Sequence, residues 1–355
     1  FIMEKVKVRF LRVMFFGIFL SLIPQGATLV GAAKVDCSRV SNTTTDLPRT
    51  ASIGTNPAGT GAHSIAASLA AVASKATSIA AKVQPYNGPN AWMPLLQNGE
   101  LEFGIMNIID AHMAQTGTGN YAKPSPGVRV VSGGVFPFTI GLLVRDKSDI
   151  KDLRDIKGKR LAWDYGGHAI NMTWQLAMME AVGVKPSDVI QVRVSNLNDG
   201  VRGVPEGKID VAMTGIGIGV VEEANAMEPI RFPSMPNTDA AKALLARYGA
   251  SIVRSDTATG IKGDTYVVGY PLHLVSSTQV SERTVYSLVK AWWDNMGDLQ
   301  TKHPLLKRWT KETQAITNFT VPYHPGADKF YKEVGIWSEA HEARPLNRQR
   351  RPGAP

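Results

Sequence analysis

The chain has 355 residues, of which 44% are hydrophobic and 19% are charged, and it contains one cysteine, Cys37. This composition is typical of a globular protein with a sizeable core, and one cysteine excludes an intramolecular disulfide and a cysteine-rich zinc site. The formal net charge is +9, but residues 1–33 contribute +3 and residues 343–355 contribute +4. The remaining residues, 34–342, therefore carry only +2, which argues against a large nucleic-acid-binding face.

The first 33 residues have the order of a secretory signal peptide. A basic stretch at 5–12 precedes an apolar run of 11 residues at 13–23, and small residues follow. This run is well short of the about 20 residues that a helix needs to span a bilayer. We therefore expect a signal peptide at 1–33, cleaved near Ala27 or at Ala32–Ala33, and a periplasmic protein. An uncleaved membrane anchor is the alternative.

Two series of α/β elements follow a polar leader at 34–48, which we expect to be flexible. The signals are β-branched and apolar runs for strands, apolar residues at helical spacing for helices, and glycine-rich loops between them. The predicted elements of the first series are a strand at 50–55, a helix through 65–76, a strand at 80–85, a helix through Trp92 and Leu96, a strand at 101–106 and a strand–turn–strand unit at 128–145.

A charged connector at 149–160 separates the first series from the second. The predicted elements of the second series are strands at 160–163, 189–194 and 208–213, and a helix at 171–182. Strands within 264–275, one amphipathic helix from 281 to about 302 and a last element at 327–336 complete the ordered chain. The tail is rich in arginine and proline, so we expect 338–355 to be a disordered basic segment.

The two series repeat with a fixed offset. Gly99–Met106 and Gly207–Thr214 share the pattern glycine, charged residue, aliphatic residue, acid, and they are 108 residues apart. The same offset relates Thr55 to Trp163, which lie where the two glycine-rich loops begin. This repeat predicts two similar α/β lobes, the alternative being two unrelated units that match by chance.

The common catalytic and nucleotide-binding motifs are absent. The loop Gly54–Gly61 lacks both the Lys-Ser/Thr of a P-loop and the G-x-G-x-x-G spacing of a dinucleotide site. The sequence also contains no H-E-x-x-H motif, and the serines after this loop are not in a G-x-S-x-G elbow. We therefore predict no catalytic residue, no metal site and no cofactor, although the absence of motifs does not exclude an enzyme.

The candidate site is formed by loops at the carboxyl ends of strands, each of which leads into a helix. Ligands of open α/β sheets bind at such strand ends, and helix N-termini favour an anion. Two lobes that present these loops to each other form a cleft that can close on a small carboxylate. The candidate ligand-binding residues are Thr55, Asn56, Gly59, Thr60, Tyr86, Asn87, Asn90, Asn107, Phe136, Trp163, Tyr165, His168, Asn171 and Thr214.

Each of these residues also has a structural interpretation. Thr60 is placed to cap a helix, Asn87 is a common turn residue, and His168 is equally well explained as an exposed loop residue.

The order and spacing of several segments within about residues 50–337 resemble the TAXI-type solute-binding proteins of TRAP transporters. The matching segments are Ile53–Gly61, Asn98–Gly104, Phe136–Phe138, Leu153–Lys159, Tyr165–His168 and His324–Phe330. The resemblance implies an α/β fold with the two-lobed architecture of periplasmic binding proteins (Venus-flytrap), each lobe a mixed sheet flanked by helices. We expect lobe 1 at 49–142 plus 268–337 and lobe 2 at 143–267.

The resemblance also implies a function. A monomeric periplasmic protein of this kind captures a small organic acid or amino acid, closes about a hinge near 142–150 and 262–270, and delivers the solute to a sodium-driven TRAP membrane permease. Asn56-Pro57 interrupts the first glycine-rich loop, and Tyr86–Asn90 replaces the usual Thr-Gly-Gly-Ser loop, so the ligand of this chain stays open. The alternatives are a binding protein for another transporter or a signalling receptor, and an extracytoplasmic enzyme on a two-lobed α/β scaffold.

Overall fold

The computed structural model describes residues 47–317 and 321–342, so the predicted signal peptide, most of the leader and most of the tail lie outside the described residues. The strands of the described residues are β1 (Thr50–Thr55), β2 (Ala80–Pro85), β3 (Phe103–Asn107), β4 (Val128–Arg145), β5 (Arg160–Trp163), β6 (Ile190–Arg193), β7 (Val211–Gly215), β8 (Ile230–Arg231), β9 (Ser251–Arg254) and β10 (Tyr266–Ser277). The α-helices are α1 (Gly61–Ala76), α2 (Pro89–Asn98), α3 (Ile108–Thr116), α4 (Ile170–Ala181), α5 (Leu197–Gly203), α6 (Gly219–Met227), α7 (Asp239–Ala246), α8 (Glu282–Asp294), α9 (Met296–Lys302), α10 (Pro325–Glu333) and α11 (Glu339–Glu342). Short 3-10 helices cover Leu153–Ile156, Pro186–Asp188 and Pro304–Arg308.

These strands form one mixed sheet. Their order is β2-β1-β3-β10-β4-β7-β5-β6, with β8 paired to β4 and β9 paired to β10. Two groups of three parallel strands, β2-β1-β3 and β7-β5-β6, flank the antiparallel pair β4–β10. We call β1–β3 with α1–α3 the first half, and β5–β7 with α4–α6 the second half.

The repeat in the sequence is a repeat in the structure. The last residues of corresponding strands in the two halves are Thr55 and Trp163, Pro85 and Arg193, and Asn107 and Gly215. The two residues of each pair are 108 positions apart, which is the offset seen in the sequence. The helices α1, α2 and α3 recur in the same order as α4, α5 and α6. The predicted α/β fold with two similar units is therefore confirmed, and the mixed sheet is one sheet that both units share.

The two halves are joined by β4 and β10. β4 is one strand of 18 residues, so the strand–turn–strand unit predicted at 128–145 is wrong. Gly134, with a φ of +75°, forms an irregularity instead of a turn, and the register with β10 shifts beside it. A Cβ atom on Gly134 would lie 1.9 Å from the carbonyl oxygen of Leu272, so a glycine is required for β4 to continue along β10.

Two further predictions about helices are wrong in detail. The single helix expected from 281 to about 302 is divided into α8 and α9 at Asn295, whose backbone N–H and Nδ2 both donate to the carbonyl oxygen of Ala291. The disorder expected from 338 does not hold for α11, because the ring of His341 stacks on Trp337 at 4.7 Å and thereby anchors this turn.

The apolar stripe of α8 is part of the core, as expected. Trp292 is buried, its ring packs edge-to-face on Phe103 of β3 at 6.1 Å, and its indole N–H donates to the carbonyl oxygen of Leu69 on α1. Helix α8 therefore packs against the first half, although it follows the second half in the chain.

Candidate functional site

A cavity lies where the loops of the two halves meet the long strands. Its volume open to the centres of water molecules is about 40 Å³, which corresponds to about three water molecules or one compact solute. Its polar side chains are those of Asn56, Thr60, Asn107, His168, Asn171 and Tyr270. Most of its apolar lining comes from strands, namely Ile105, Met106, Phe138, Ile140, Met213 and Leu272.

Five helices of nine or more residues begin at this cavity. The lining includes Thr60 and Asn107, which cap α1 and α3, Pro89 at the start of α2, Asn171 in the first turn of α4, and Ile218, which precedes α6. Each of these helices follows a strand of one of the two parallel groups, so their N-termini meet in one space. The positive ends of their dipoles make the cavity electropositive, although none of the described residues in its lining is Asp, Glu, Lys or Arg. Some N–H groups of the first turns, such as those of Asn90 and Val220, already donate to the facing half.

Two of the polar residues are held by helix capping. The Thr60 hydroxyl donates to the carbonyl oxygen of Pro57 at 2.7 Å and accepts from the backbone N–H of His63 at 3.3 Å. The Asn107 Oδ1 accepts from the backbone N–H of Asp110 at 2.9 Å. Both side chains therefore fix the loops from which α1 and α3 start.

His168 is buried and neutral, and it is not the exposed loop residue of the alternative interpretation. Burial lowers its pKa to about 4, against an ordinary value of 6.5. Its Nδ1 lies 3.0 Å from Nδ2 of Asn171, and its Nε2 lies 3.5 Å from Nδ2 of Asn56. Because Asn56 belongs to the first half, this row of three side chains crosses the cavity.

The two halves are also hydrogen-bonded directly, in a pattern that follows the internal repeat. The Asn90 Oδ1 accepts from the backbone N–H of Ala169 at 3.3 Å, and the Asn198 Nδ2 donates to the carbonyl oxygen of Ala58 at 2.8 Å. These two asparagines are 108 positions apart, so each half contributes the equivalent asparagine to the facing loop. The structure is therefore that of a closed arrangement of the halves.

Two glycines that are also 108 positions apart, Gly59 and Gly167, contribute their carbonyl oxygens to the contact between the halves. The carbonyl oxygen of Gly167 accepts from the N–H of Asn90 at 3.2 Å, and that of Gly59 accepts from the N–H of Val220 at 3.1 Å. The Asn120 Nδ2 adds a longer bond, of 3.3 Å, to Thr173 Oγ1.

Of the fourteen candidate residues, five lie on the cavity: Asn56, Thr60, Asn107, His168 and Asn171. Gly59 and Asn90 lie in the contacts between the halves. The buried hydroxyl groups of Thr55 and Thr214 have no hydrogen-bond partner among the described residues, but neither residue lines the cavity.

The other five candidates also lie outside the cavity lining. Tyr165 is fully buried, and its hydroxyl donates to Gln175 Oε1 at 2.7 Å and accepts from the backbone N–H of Met213. Phe136 is 47% exposed, and Asn87 is exposed at the surface. The Tyr86 hydroxyl donates to Gln84 Oε1, and Trp163 is half-buried at the end of β5.

The residues that the sequence interpretation missed are those of the cavity floor. Phe138 and Ile140 lie on β4, and Tyr270 and Leu272 lie on β10. The one signal in the sequence was the segment Phe136–Phe138, in which a proline lies between two aromatic residues. Its second aromatic residue, Phe138, is the one that lines the cavity.

A buried carboxyl group lies beside the cavity. Asp110 is in the first turn of α3, three residues after Asn107. Burial raises its pKa to about 7, and the neighbouring Tyr121 hydroxyl, which lowers it, is the smaller effect. Burial and, to a lesser extent, Asp110 raise the pKa of Tyr270, whose ring stacks on Trp174 of the second half at 4.7 Å.

Across 47–317 and 321–342, no group of three or more His, Cys, Asp or Glu side chains is arranged to hold a metal ion. The helices of this same part of the chain include none with the length and apolar character needed to cross a membrane.

The chain has two repeated α/β halves, which are joined by long strands. The halves meet around a cavity at their helix N-termini, and this arrangement defines a two-lobed solute-binding fold. The chain belongs to the NMT1-like family, whose sequence profile matches residues 53–335. The assignment to the TAXI-type proteins is finer than this family and stays a prediction.

The chain is similar to several solved structures. MatC from Rhodopseudomonas palustris with bound malate is 14% identical over 83% of this chain and 100% of its own, with a TM-score of 0.53. The alkanesulfonate-binding protein SsuA from Xanthomonas axonopodis pv. citri bound to MOPS is 16% identical over 84% of this chain and 83% of its own, with a TM-score of 0.44. An ancestral arginine-binding protein bound to arginine is 16% identical over 74% of this chain and 99% of its own, with a TM-score of 0.45.

Proposed function

We propose that this protein is a periplasmic solute-binding protein that captures a small organic anion or amino acid and delivers it to a membrane permease of the TRAP type. The observation that carries the proposal is the electropositive cavity between the two halves. A small anion in this cavity contacts N–H groups from both halves at once, so it binds the closed arrangement more tightly than an open one.

The closing motion of this proposal takes place in the two long strands. We take residues 49–142 plus 268–337 as lobe 1 and residues 143–267 as lobe 2. In support, β10 pairs with β3 from Leu272 onward, whereas β4 pairs with β7 from Ile140 onward. β4 therefore pairs with the second half from Ile140, and β10 pairs with the first half from Leu272. Bending of each strand near these points separates the halves.

A ligand screen by thermal unfolding tests the binding function. At a free concentration 100 times its Kd, a ligand stabilises the native state by about 2.7 kcal/mol, which corresponds to a Tm increase of about 5 °C for a protein of this size. The panel contains monocarboxylates, dicarboxylates including malate, sulfonates and amino acids. Stabilisation by at least one compound is expected, whereas turnover of a compound without stabilisation by any would contradict the proposal.

The permease partner is tested separately, because its support is the resemblance of the sequence segments to TRAP-associated proteins. Uptake of the identified ligand into vesicles that contain the candidate permease is measured with a sodium gradient or with ATP as the energy source. Uptake that needs this protein and the sodium gradient is expected. Uptake that needs ATP instead would assign the protein to a different transporter class.

A further inference from the structure

Asp110 is a fully buried carboxyl group that its surroundings do not neutralise. Neither of its two carboxyl oxygens has a hydrogen-bond partner among the described residues. The neighbouring Tyr121 hydroxyl favours the charged form, but it lies outside normal hydrogen-bond geometry and is itself buried without a partner in this part of the chain. A carboxyl group in such surroundings keeps its proton more readily than one in water, because the charged form loses its hydration.

This carboxyl group lies directly beside the lining of the cavity. The backbone N–H of Asp110 donates at 2.9 Å to the side chain of Asn107, which lines the cavity and caps α3. Tyr270 lines the cavity from β10, and burial and, to a lesser extent, the charge of Asp110 raise its pKa. Because the carboxyl group interacts with a side chain of the lining, its charge also acts on an anion in the cavity.

The ionised carboxyl group and a bound anion compete for the same helix end. Asp110 lies in the first turn of α3, where the helix dipole favours a negative charge. The N-terminus of α3, at Asn107, is also one of the five helix ends at the cavity. Two negative charges at one buried helix end repel each other, so an anion in the cavity favours the protonated form of Asp110.

The cations on the elements around α3 are engaged elsewhere. This helix packs against β3, β4 and β10, and Asp110 is the one acidic residue of these four elements. The other titratable residues on them and on the loop after α3 are His112, Tyr121, Lys123, Arg129, Arg145, Tyr266, Tyr270 and His273.

None of these positively titrating groups is placed to neutralise the carboxylate. Arg129 donates to the carbonyl oxygens of Pro126 and Val128, and Arg145 pairs with Asp210. Lys123 is exposed, and burial lowers the pKa of His273 to about 3, so that its ring is neutral. The groups of this set that interact with the carboxyl group are the two tyrosines described above, and neither carries a positive charge.

We infer that Asp110 is a proton-binding site coupled to the anion site, so that the protein takes up a proton at Asp110 when an anion binds in the cavity. This inference rests on the proposed function and adds a second bound species to it. Burial gives the free protein a pKa of about 7 at this carboxyl group, and a bound anion raises it further. The affinity for the anion therefore falls as the pH rises past about 7, because the proton must then be taken from solution.

Isothermal titration calorimetry at pH 6, 7 and 8 measures this coupling. The probe is the anion with the largest Tm increase in the ligand screen. Lactate, ethanesulfonate and L-glutamate are added to that screen, because the net charge of each is constant over this pH range. The Kd of the wild-type protein is expected to be about 5-fold or more higher at pH 8 than at pH 6. A Kd that falls as the pH rises would overturn the inference, because it would show that an ionised Asp110 attracts a positive group of the probe.

The proton itself is counted on the wild-type protein, without any variant. The titration is repeated at pH 7.5 in Tris and in triethanolamine, two amine buffers with different enthalpies of ionisation. The difference in heat gives the number of protons taken up with each anion. About half a proton or more is expected, since Asp110 is mostly ionised in the free protein and mostly protonated in the complex at this pH. No uptake would overturn the inference.

Asp110→Asn assigns the proton to this carboxyl group. The amide cannot ionise, so the Kd of the variant is expected to be independent of pH and its proton uptake to fall close to zero. Glu180→Gln removes an exposed carboxylate of α4 and is expected to keep both effects. Proton uptake that persists in Asp110→Asn would overturn the assignment to Asp110. Binding that is independent of pH in the wild type would overturn the inference and leave the proposed function intact, whereas binding of no anion in the screen would remove both.

Discussion

Replacing the buried carboxyl group of Asp110 by an amide changes the pH dependence of stability in a defined direction. Asp110 is fully buried, and burial raises its pKa from an ordinary value of 3.8 to about 7. Between these two values the folded protein keeps a proton that the unfolded chain releases. The native state therefore loses stability as the pH rises through this window.

The size of the effect follows from the two pKa values. One pKa unit corresponds to about 1.4 kcal/mol, so a difference of about three units costs the native state about 4 kcal/mol at pH 8. Asp110→Asn has nearly the same size and never ionises. It is therefore expected to be more stable than the wild type by up to about 4 kcal/mol at pH 8 and similar in stability near pH 4.

Urea unfolding followed by circular dichroism at several pH values between 4 and 8 measures this difference. Glu180→Gln, which removes a carboxylate at an exposed position of α4, is the control for the loss of a surface charge. An Asp110→Asn variant that is less stable than the wild type at pH 8, or whose difference does not change with pH, would refute the reasoning.

The remaining predictions concern closure of the two halves. A Cβ atom on Gly88 would lie 2.3 Å from a carbonyl oxygen of the second half, so Gly88→Ala is expected to weaken ligand affinity about 10-fold or more by opposing the closed state. Gly297→Ala, where a Cβ meets no atom within 4 Å, is the control. If calorimetry gave the same affinity for Gly88→Ala as for the wild type, the Cβ at residue 88 would not oppose closure. Asn90→Ala and Asn198→Ala each remove a hydrogen bond between the halves. Each is therefore expected to weaken the binding free energy of the ligand by about 1 kcal/mol, or to raise its Kd about 5-fold. An effect in only one of the two variants would contradict equivalent roles of the two asparagines in closure. Burial lowers the pKa of His168 to about 4 and raises that of Asp110, beside the cavity, to about 7. In the Asp110→Asn variant the affinity is therefore expected to be constant between pH 8 and 5.5, and a 10-fold change centred on pH 6.5 in that variant would show that the His168 ring is protonated.

The two-lobed fold was predictable because its evidence is local and is repeated. Gly99 and Gly207 begin equivalent segments, and Thr55 and Trp163 end equivalent strands, so one offset of 108 residues described both halves. The helix-capping residues of the cavity were predictable for the same reason, since polar residues between a strand and a helix are recognised from the chain alone.

The cavity floor was not predictable because it depends on strand pairing. Whether Phe138 or Tyr270 faces the cavity is decided by the irregularity at Gly134 and by the register of β4 against β10, which no local pattern specifies. The same limit applies to Tyr165. In the sequence it is a hydrogen-bonding residue in a glycine-rich loop, but in the structure Gln175 and the N–H of Met213 use its hydroxyl.

A crystal structure of the complex with the tightest ligand from the screen tests the central claim most directly. The account predicts the ligand in the cavity between the halves, with its anionic group at the helix N-termini that line the cavity. A second, more open groove is lined by Thr139, Asp256, Lys307 and Arg308, and it offers side-chain cations to an anion. A ligand bound in that groove, with the cavity between the halves left unchanged, would contradict the account.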